Sequence, residues 1–202
     1  MIRMEERVAF DDVVTGMLAS GCFSPVKSEG CHVIPDNPEA RYRLLVERGW
    51  LFLRFLPTCD WVRAVIGNST DLEQLHLICE ESWFQEPRAA ERHVGRWVGL
   101  NSLPPPKRRR VESLLEAGLR PDSIHRRITL FGHSLSGPFT ILDGNHRILA
   151  LAHDCRFRGR SFEPFEVHVG LSFGPCRWHG DPMTWEERPE LDGQRRFVLR
   201  VW

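Results

Sequence analysis

The sequence predicts an α+β fold: a mainly helical extension over residues 1–90, then a domain over residues 91–202 with a small mixed sheet and helices. Three observations carry this. Apolar residues recur at helical spacing in Phe10–Ala19, Glu39–Phe55 and Leu72–Phe84. Strand-like runs follow at Ile124–Phe131, Phe139–Leu142 and Phe165–Val169. Between Pro138 and His153 (PFTILDGNHRILALAH) the period changes from strand to helix inside an Asp-Gly-Asn-His-Arg cluster.

Length and composition bound the rest. At 202 residues, with 42% hydrophobic and 27% charged residues, the chain can bury a proper core as one domain or one and a half. Lys+Arg and Asp+Glu are both 27, so any basic function must be local rather than a property of the whole surface. The N-terminus MIRMEERVAFDD carries acids where a signal peptide needs an apolar run. No stretch approaches the roughly 18 apolar residues of a membrane span. The expectation is a soluble, cytoplasmic protein with no membrane partner. Six cysteines at 22, 31, 59, 79, 155 and 176 form no CxxC pair and read as free thiols.

Along the chain, a short helix is expected near Phe10–Ala19, then loop and one strand around Cys31–Ile34. Tyr42, Leu45, Val46, Gly49, Phe52 and Leu53 approximate one helical face, stopped by Pro57. Trp61–Ile66 is apolar and ends in a Gly67-Asn68 turn. Ser69-Thr70-Asp71 then offers an N-cap for a helix from Leu72 to Phe84, with Pro87 near its end. Arg96–Leu100 (RWVGL) is a candidate strand. Beyond Pro104-Pro105-Pro106, the basic run Lys107–Arg110 opens a helix, Val111–Ala117, closed by Gly118. Cations at a helix N-terminus oppose its dipole, so something acidic, ligand or protein, is expected nearby. The competing reading of that run is a solvated helix start. A final strand is expected over Arg196–Trp202, after a loop-rich stretch at 170–193.

The Asp143–Arg147 cluster should be the tight turn between strand and helix. Such a turn presents unpaired backbone N–H groups and the positive end of a helix dipole, which is a site for an anion, above all phosphate. Gly144 lets backbone approach a ligand, Asn145 can cap the helix, and His146 and Arg147 donate to phosphate oxygens. Asp143 could hold a metal ion or take a proton from a substrate hydroxyl. The structural alternative is a well-capped turn in which Asp143 and Arg147 pair with each other.

The order of elements from Arg110 to Val169, helix, Gly-Leu-x-Pro, strand, loop, strand, DGxHR, helix, strand, resembles the core of the ParB/sulfiredoxin superfamily. The resemblance covers residues 94–180 or so, with Glu112–Ala152 following the family order element by element. Members place such a turn on nucleotide phosphates. The DGNHR form is closest to the DGHxR turn of the free-serine-kinase branch. Sulfiredoxin carries a catalytic Cys where this chain has Asn145, so that activity is not implied. In the kinase branch a catalytic Glu follows the first strand and a Pro; Pro104–Lys107 here contains no acid, and Glu112 is the nearest substitute, with Asp143 another.

The resemblance therefore implies phosphoryl transfer from ATP or ADP with Mg²⁺ to a small hydroxylated metabolite. Asp143, His146 and Glu112 are the catalytic candidates, and Gly144, Asn145, His146 and Arg147 would hold the nucleotide phosphates. Two alternatives stand beside it: a nucleotide-gated or DNA-binding module of ParB type, with Lys107–Arg110 touching phosphates, and a biosynthetic enzyme that uses the same pocket without a nucleotide. Glu166 and His168 share a strand face and are candidate substrate contacts, the alternative being a face covered by the N-terminal extension. Trp178, in the loop beyond, is a third. His153, Cys155, Cys176 and His179 do not make a convincing zinc set, because His153-x-Cys155 is too short for the usual loop. No metal ligand is assigned from protein side chains.

Overall fold

The computed structural model describes residues 2–19, 34–47, 59–79, 83, 92–119, 128–173, 179, 184–189 and 195–200. Within them the chain is a mixed α+β protein. The elements are β1 (Arg3–Arg7), α1 (Phe10–Ala19), α2 (Pro38–Glu47), β2 (Asp60–Ile66), α3 (Ser69–Gln74), α4 (Val94–Trp97), α5 (Pro105–Ala117), β3 (Thr129–Gly132), β4 (Thr140–Asp143), α6 (Asn145–Phe157), β5 (Phe165–Leu171), β6 (Thr184–Pro189) and β7 (Arg195–Arg200). β6 and β7 pair antiparallel as a separate ribbon.

Five strands form one sheet in the order β1-β2-β5-β3-β4. Only β3 and β5 run parallel; the other neighbours are antiparallel. That parallel pair is joined through β4 and α6, as a parallel connection requires. The expected division near residue 90 is therefore not a division of the sheet, because β1 and β2 belong to the same sheet as β3, β4 and β5. The reason is pairing: β2 meets β5 over seven consecutive Cα partners, from Asp60↔Leu171 to Ile66↔Phe165.

Alternation along β2 and β5 splits the core in two. Ala64, Ile66, Phe165, Val167 and Val169 join Leu130, Ile141, Ile148 and Leu149 in the larger cluster, which also takes in Leu72, Val94 and Val111 from α3, α4 and α5. Trp61, Phe131 and Leu142 instead meet Val13, Val14, Met17 and Leu18 of α1. Phe10 stacks on Trp61, and the Arg41 guanidinium on α2 pairs with Asp11 on α1.

Several expectations change. The helix expected over Leu72–Phe84 is α3 and stops at Gln74; the chain then runs extended beside β4, with His76 N–H donating to Phe139 O at 2.9 Å and Ile141 N–H to His76 O at 2.8 Å. Sheet pairing overrides the helical spacing there. The N-cap is Asn68, whose side chain accepts from Asp71 N–H at 2.9 Å. RWVGL is not a strand: Val94–Trp97 is a short helix followed by turns. α5 begins at Pro105 and so contains the basic run, with proline in its first turn where a missing N–H costs nothing. β1 and β6 had no counterpart in the expectations. The expected strand near Cys31, the second half of the Glu39–Phe55 helix and residues 124–127 lie outside the described residues.

Candidate functional site

β4 ends at Asp143, and Gly144 turns the chain into α6 with φ 102°. Glycine is required twice over: this φ disfavours a side chain, and a Cβ here would collide with Ile128 Cδ1. The first turn of α6 is Asn145, His146 and Arg147, whose N–H groups have no intrahelical acceptor.

The four side chains of the turn do different things. Arg147 Nη2 donates to Asp143 Oδ2 at 3.0 Å, so the pairing alternative is realised. The Asp143 side chain is fully buried, and its second oxygen, Oδ1, has no partner. A buried carboxylate oxygen left without a donor is costly, and it marks a place where a ligand can contribute. Asn145 spends its side chain on the scaffold: Oδ1 accepts from Ile78 N–H at 2.9 Å and Nδ2 donates to Ile141 O at 3.1 Å. It fastens the extended 75–78 segment and β4 to the start of α6, so a ligand would meet its backbone N–H rather than its amide.

His146 packs at 4.8 Å, centroid to centroid, on Trp83, and Lys107 Nζ sits 4.7 Å over the same indole. Its Nε2 is buried without a partner. Burial first, then the charges of Lys107, Arg110 and Arg147, push His146 down to about 3. The imidazole is thus neutral at pH 7, one potential donor among three permanent cations. α5 packs against α6, and this is what brings the basic run to the turn.

The remaining candidates are placed as follows. Glu112 lies one turn along α5 and pairs with Arg108 at 2.7 Å. His168 is buried on β5, and its Cα partners are Thr129 on β3 and Arg63 on β2; Thr129 is in turn partnered with Asp143. Directly opposed residues share a face. Thr129, His168 and Arg63 therefore form a polar row across β3, β5 and β2, while Asp143 meets Thr129 across a register shift in β3–β4, with His168 two strands, or roughly 10 Å, from Asp143. Glu166 is on the same face but reaches Arg63 at 3.9 Å, in an ion cluster with Glu5 and Glu6. Trp178 lies outside the described residues.

Sequence reading put Lys107–Arg110 on phosphates only in the ParB-type alternative, without joining Lys107 and Arg110 to this turn, and it missed Trp83 altogether. It also missed a second cluster at the start of β4. His76 and His93 stack edge-on at 4.3 Å, His133 and His179 at 4.7 Å, and His179 Nδ1 lies 2.9 Å from Thr140 Oγ1. Among the described residues no group of three or more His, Cys, Asp or Glu side chains is arranged to hold a metal ion. His153 Nδ1 is 2.6 Å from Val98 O, Cys155 is a free thiol, and Cys176 is outside the described residues. No helix among the described residues is long and apolar enough to cross a membrane.

No protein family, no curated protein and no solved structure matches this chain.

Proposed function

We propose that the Asp143–Arg147 turn binds a phosphorylated ligand and that the protein transfers a phosphoryl group from a nucleotide to a small hydroxylated metabolite. One observation carries the reading. Two buried polar atoms without partners, Asp143 Oδ1 and His146 Nε2, lie three residues apart at the N-terminus of a thirteen-residue helix, and Lys107, Arg110 and Arg147 act on that same place. A phosphate would supply further anionic acceptors for the first-turn N–H groups and for the cations around them.

The residues fit a nucleotide in this sense. The backbone N–H groups of Asn145, His146 and Arg147, with Lys107 and Arg110, would hold phosphate oxygens. One carboxylate oxygen together with phosphate and water oxygens is an ordinary donor set for Mg²⁺, so Asp143 Oδ1 suits the ion or a substrate hydroxyl. The nucleotide would supply the phosphoryl group. The chain's contribution is positioning and charge: fixed cations stabilise the charge that spreads over the transferred group, without rearranging at the moment of transfer. Asp143 is the base candidate that the geometry favours over Glu112, whose carboxylate is engaged by Arg108. The order α5, β3, β4, turn, α6, β5 supports the ParB/sulfiredoxin-like reading, while α4 in place of the expected strand departs from it.

The test is product formation. ADP released from ATP, or AMP released from ADP, only when a pool of hydroxylated metabolites is present supports the transfer. Salt-steep affinity for DNA with no such release favours a DNA-binding module instead.

A further inference from the structure

The histidine cluster and the turn are tied by one short segment. His76 sits between β4 and the residue that caps α4, bridged to Thr140 on one side and to His93 on the other. Its ring is buried, its Nδ1 has no partner, and the groups that act on it electrostatically are His93, Arg92 and His179. None of these is acidic. Arg92 is itself buried and held by Leu77 O and His179 O, so a permanent positive charge is fixed beside the cluster. His133 and Thr140 complete the surroundings through His179. Two residues after His76, Ile78 N–H makes the bond to Asn145 that fastens the segment to the first turn of α6.

We propose that this cluster is a proton-sensitive latch on the Asp143–Arg147 turn: protonating His76 repels it from Arg92 and its neighbouring imidazoles, and the 75–78 segment releases Asn145. A buried imidazole whose described neighbours are imidazoles and a guanidinium takes a proton only against desolvation and repulsion, and opening relieves both. The opening travels along a single extended segment whose far end is a hydrogen bond to the turn. Burial and the same neighbours hold His76 at about 4, well below an ordinary histidine, so the latch is closed at neutral pH and loosens in mild acid. Through Asn145, the inference bears on whatever the turn binds; its test does not need a ligand.

Amide hydrogen exchange, corrected for the intrinsic pH dependence of exchange, reads the latch at Ile78. Between pH 7.5 and 5.0, protection of Ile78 should fall on the order of 10-fold more than that of Val167 or Leu130 in the sheet. His76→Gln, and His93→Gln as the less buried substitution, should shrink that difference. If Ile78 keeps step with the sheet in the wild type, or if both variants reproduce the wild-type pH dependence, the latch is wrong. The proposed phosphate site would stand or fall separately.

Discussion

The two ends of β4 bury imidazoles in opposite ways. At its start, His179 bonds to Thr140 and stacks edge-on with His133, and His133 Nδ1 reaches Ser172 O at 2.7 Å; most of the polarity is consumed inside the protein. At its end, His146 lies among cations, and both its Nε2 and Asp143 Oδ1 are left over. The first leaves one imidazole nitrogen over, His76 Nδ1, whereas the second leaves both a ring nitrogen and a carboxylate oxygen over at the N-terminus of a thirteen-residue helix. Burial alone therefore does not identify a site. Unspent donor and acceptor capacity gathered at the N-terminus of a long helix does.

Substitutions at the second end should break this contrast in a graded way. Gly144→Ala should be the most damaging, costing about 3 kcal/mol in chemical denaturation, since it adds backbone strain at φ 102° to a collision with the fully buried Ile128. Asn145→Ala should cost about 2 kcal/mol by the same measurement, because it strands the buried Ile78 N–H and Ile141 O. Both losses should appear without any ligand.

Acid should act on both ends. His146 and His76 are held at about 3 and about 4, below the ordinary histidine value of 6.5, so the unfolded chain takes up their protons first as pH falls. Their contribution to stability is complete above pH 6.5 and is lost as pH falls toward 4 and then 3, by up to ~1.4 kcal/mol per pH unit for each group. The midpoint of thermal unfolding followed from pH 7.5 to 4 checks this, and His146→Gln should flatten the curve. A midpoint that stays level over this range would count against the buried neutral state of both rings.

Lys107→Met and Arg110→Ala should be the mildest for folding, within about 0.5 kcal/mol, as surface changes usually are. They sharpen the comparison because each removes a cation acting on His146, so its titration, followed by NMR, should move upward in both variants. Equivalent changes to Arg108, which is paired with Glu112, should leave that titration unmoved.

What was legible in the sequence follows the range of the interactions. α1 and the β4–turn–α6 unit are local patterns, and the expected bounds of α1 coincide with those observed. β1 is invisible because Arg3–Arg7 is four charged, exposed residues and a single partly buried Met4 at a sheet edge, with no apolar alternation. The overlong helix after Leu72 is the reverse error: Leu75 and Ile78 keep helical spacing, yet both are buried in extended chain beside β4. The turn itself was readable because Asp143, Gly144, His146 and Arg147 are consecutive or nearly so. The histidine cluster joins residues 76 and 93 through a β-bridge and residues 133 and 179 through ring contact, and Lys107 reaches His146 only because α5 packs on α6. Neither has a signature in local spacing.

The most direct measurement is a titration of the isotope-labelled protein with inorganic phosphate, and then with ATP and Mg²⁺, following backbone amide resonances. The account predicts that the largest shifts fall on Gly144, Asn145, His146 and Arg147, and that Arg110→Ala weakens them several-fold without moving the resonances of the sheet. Shifts that spare those four amides, or an unchanged affinity in Arg110→Ala, would contradict it.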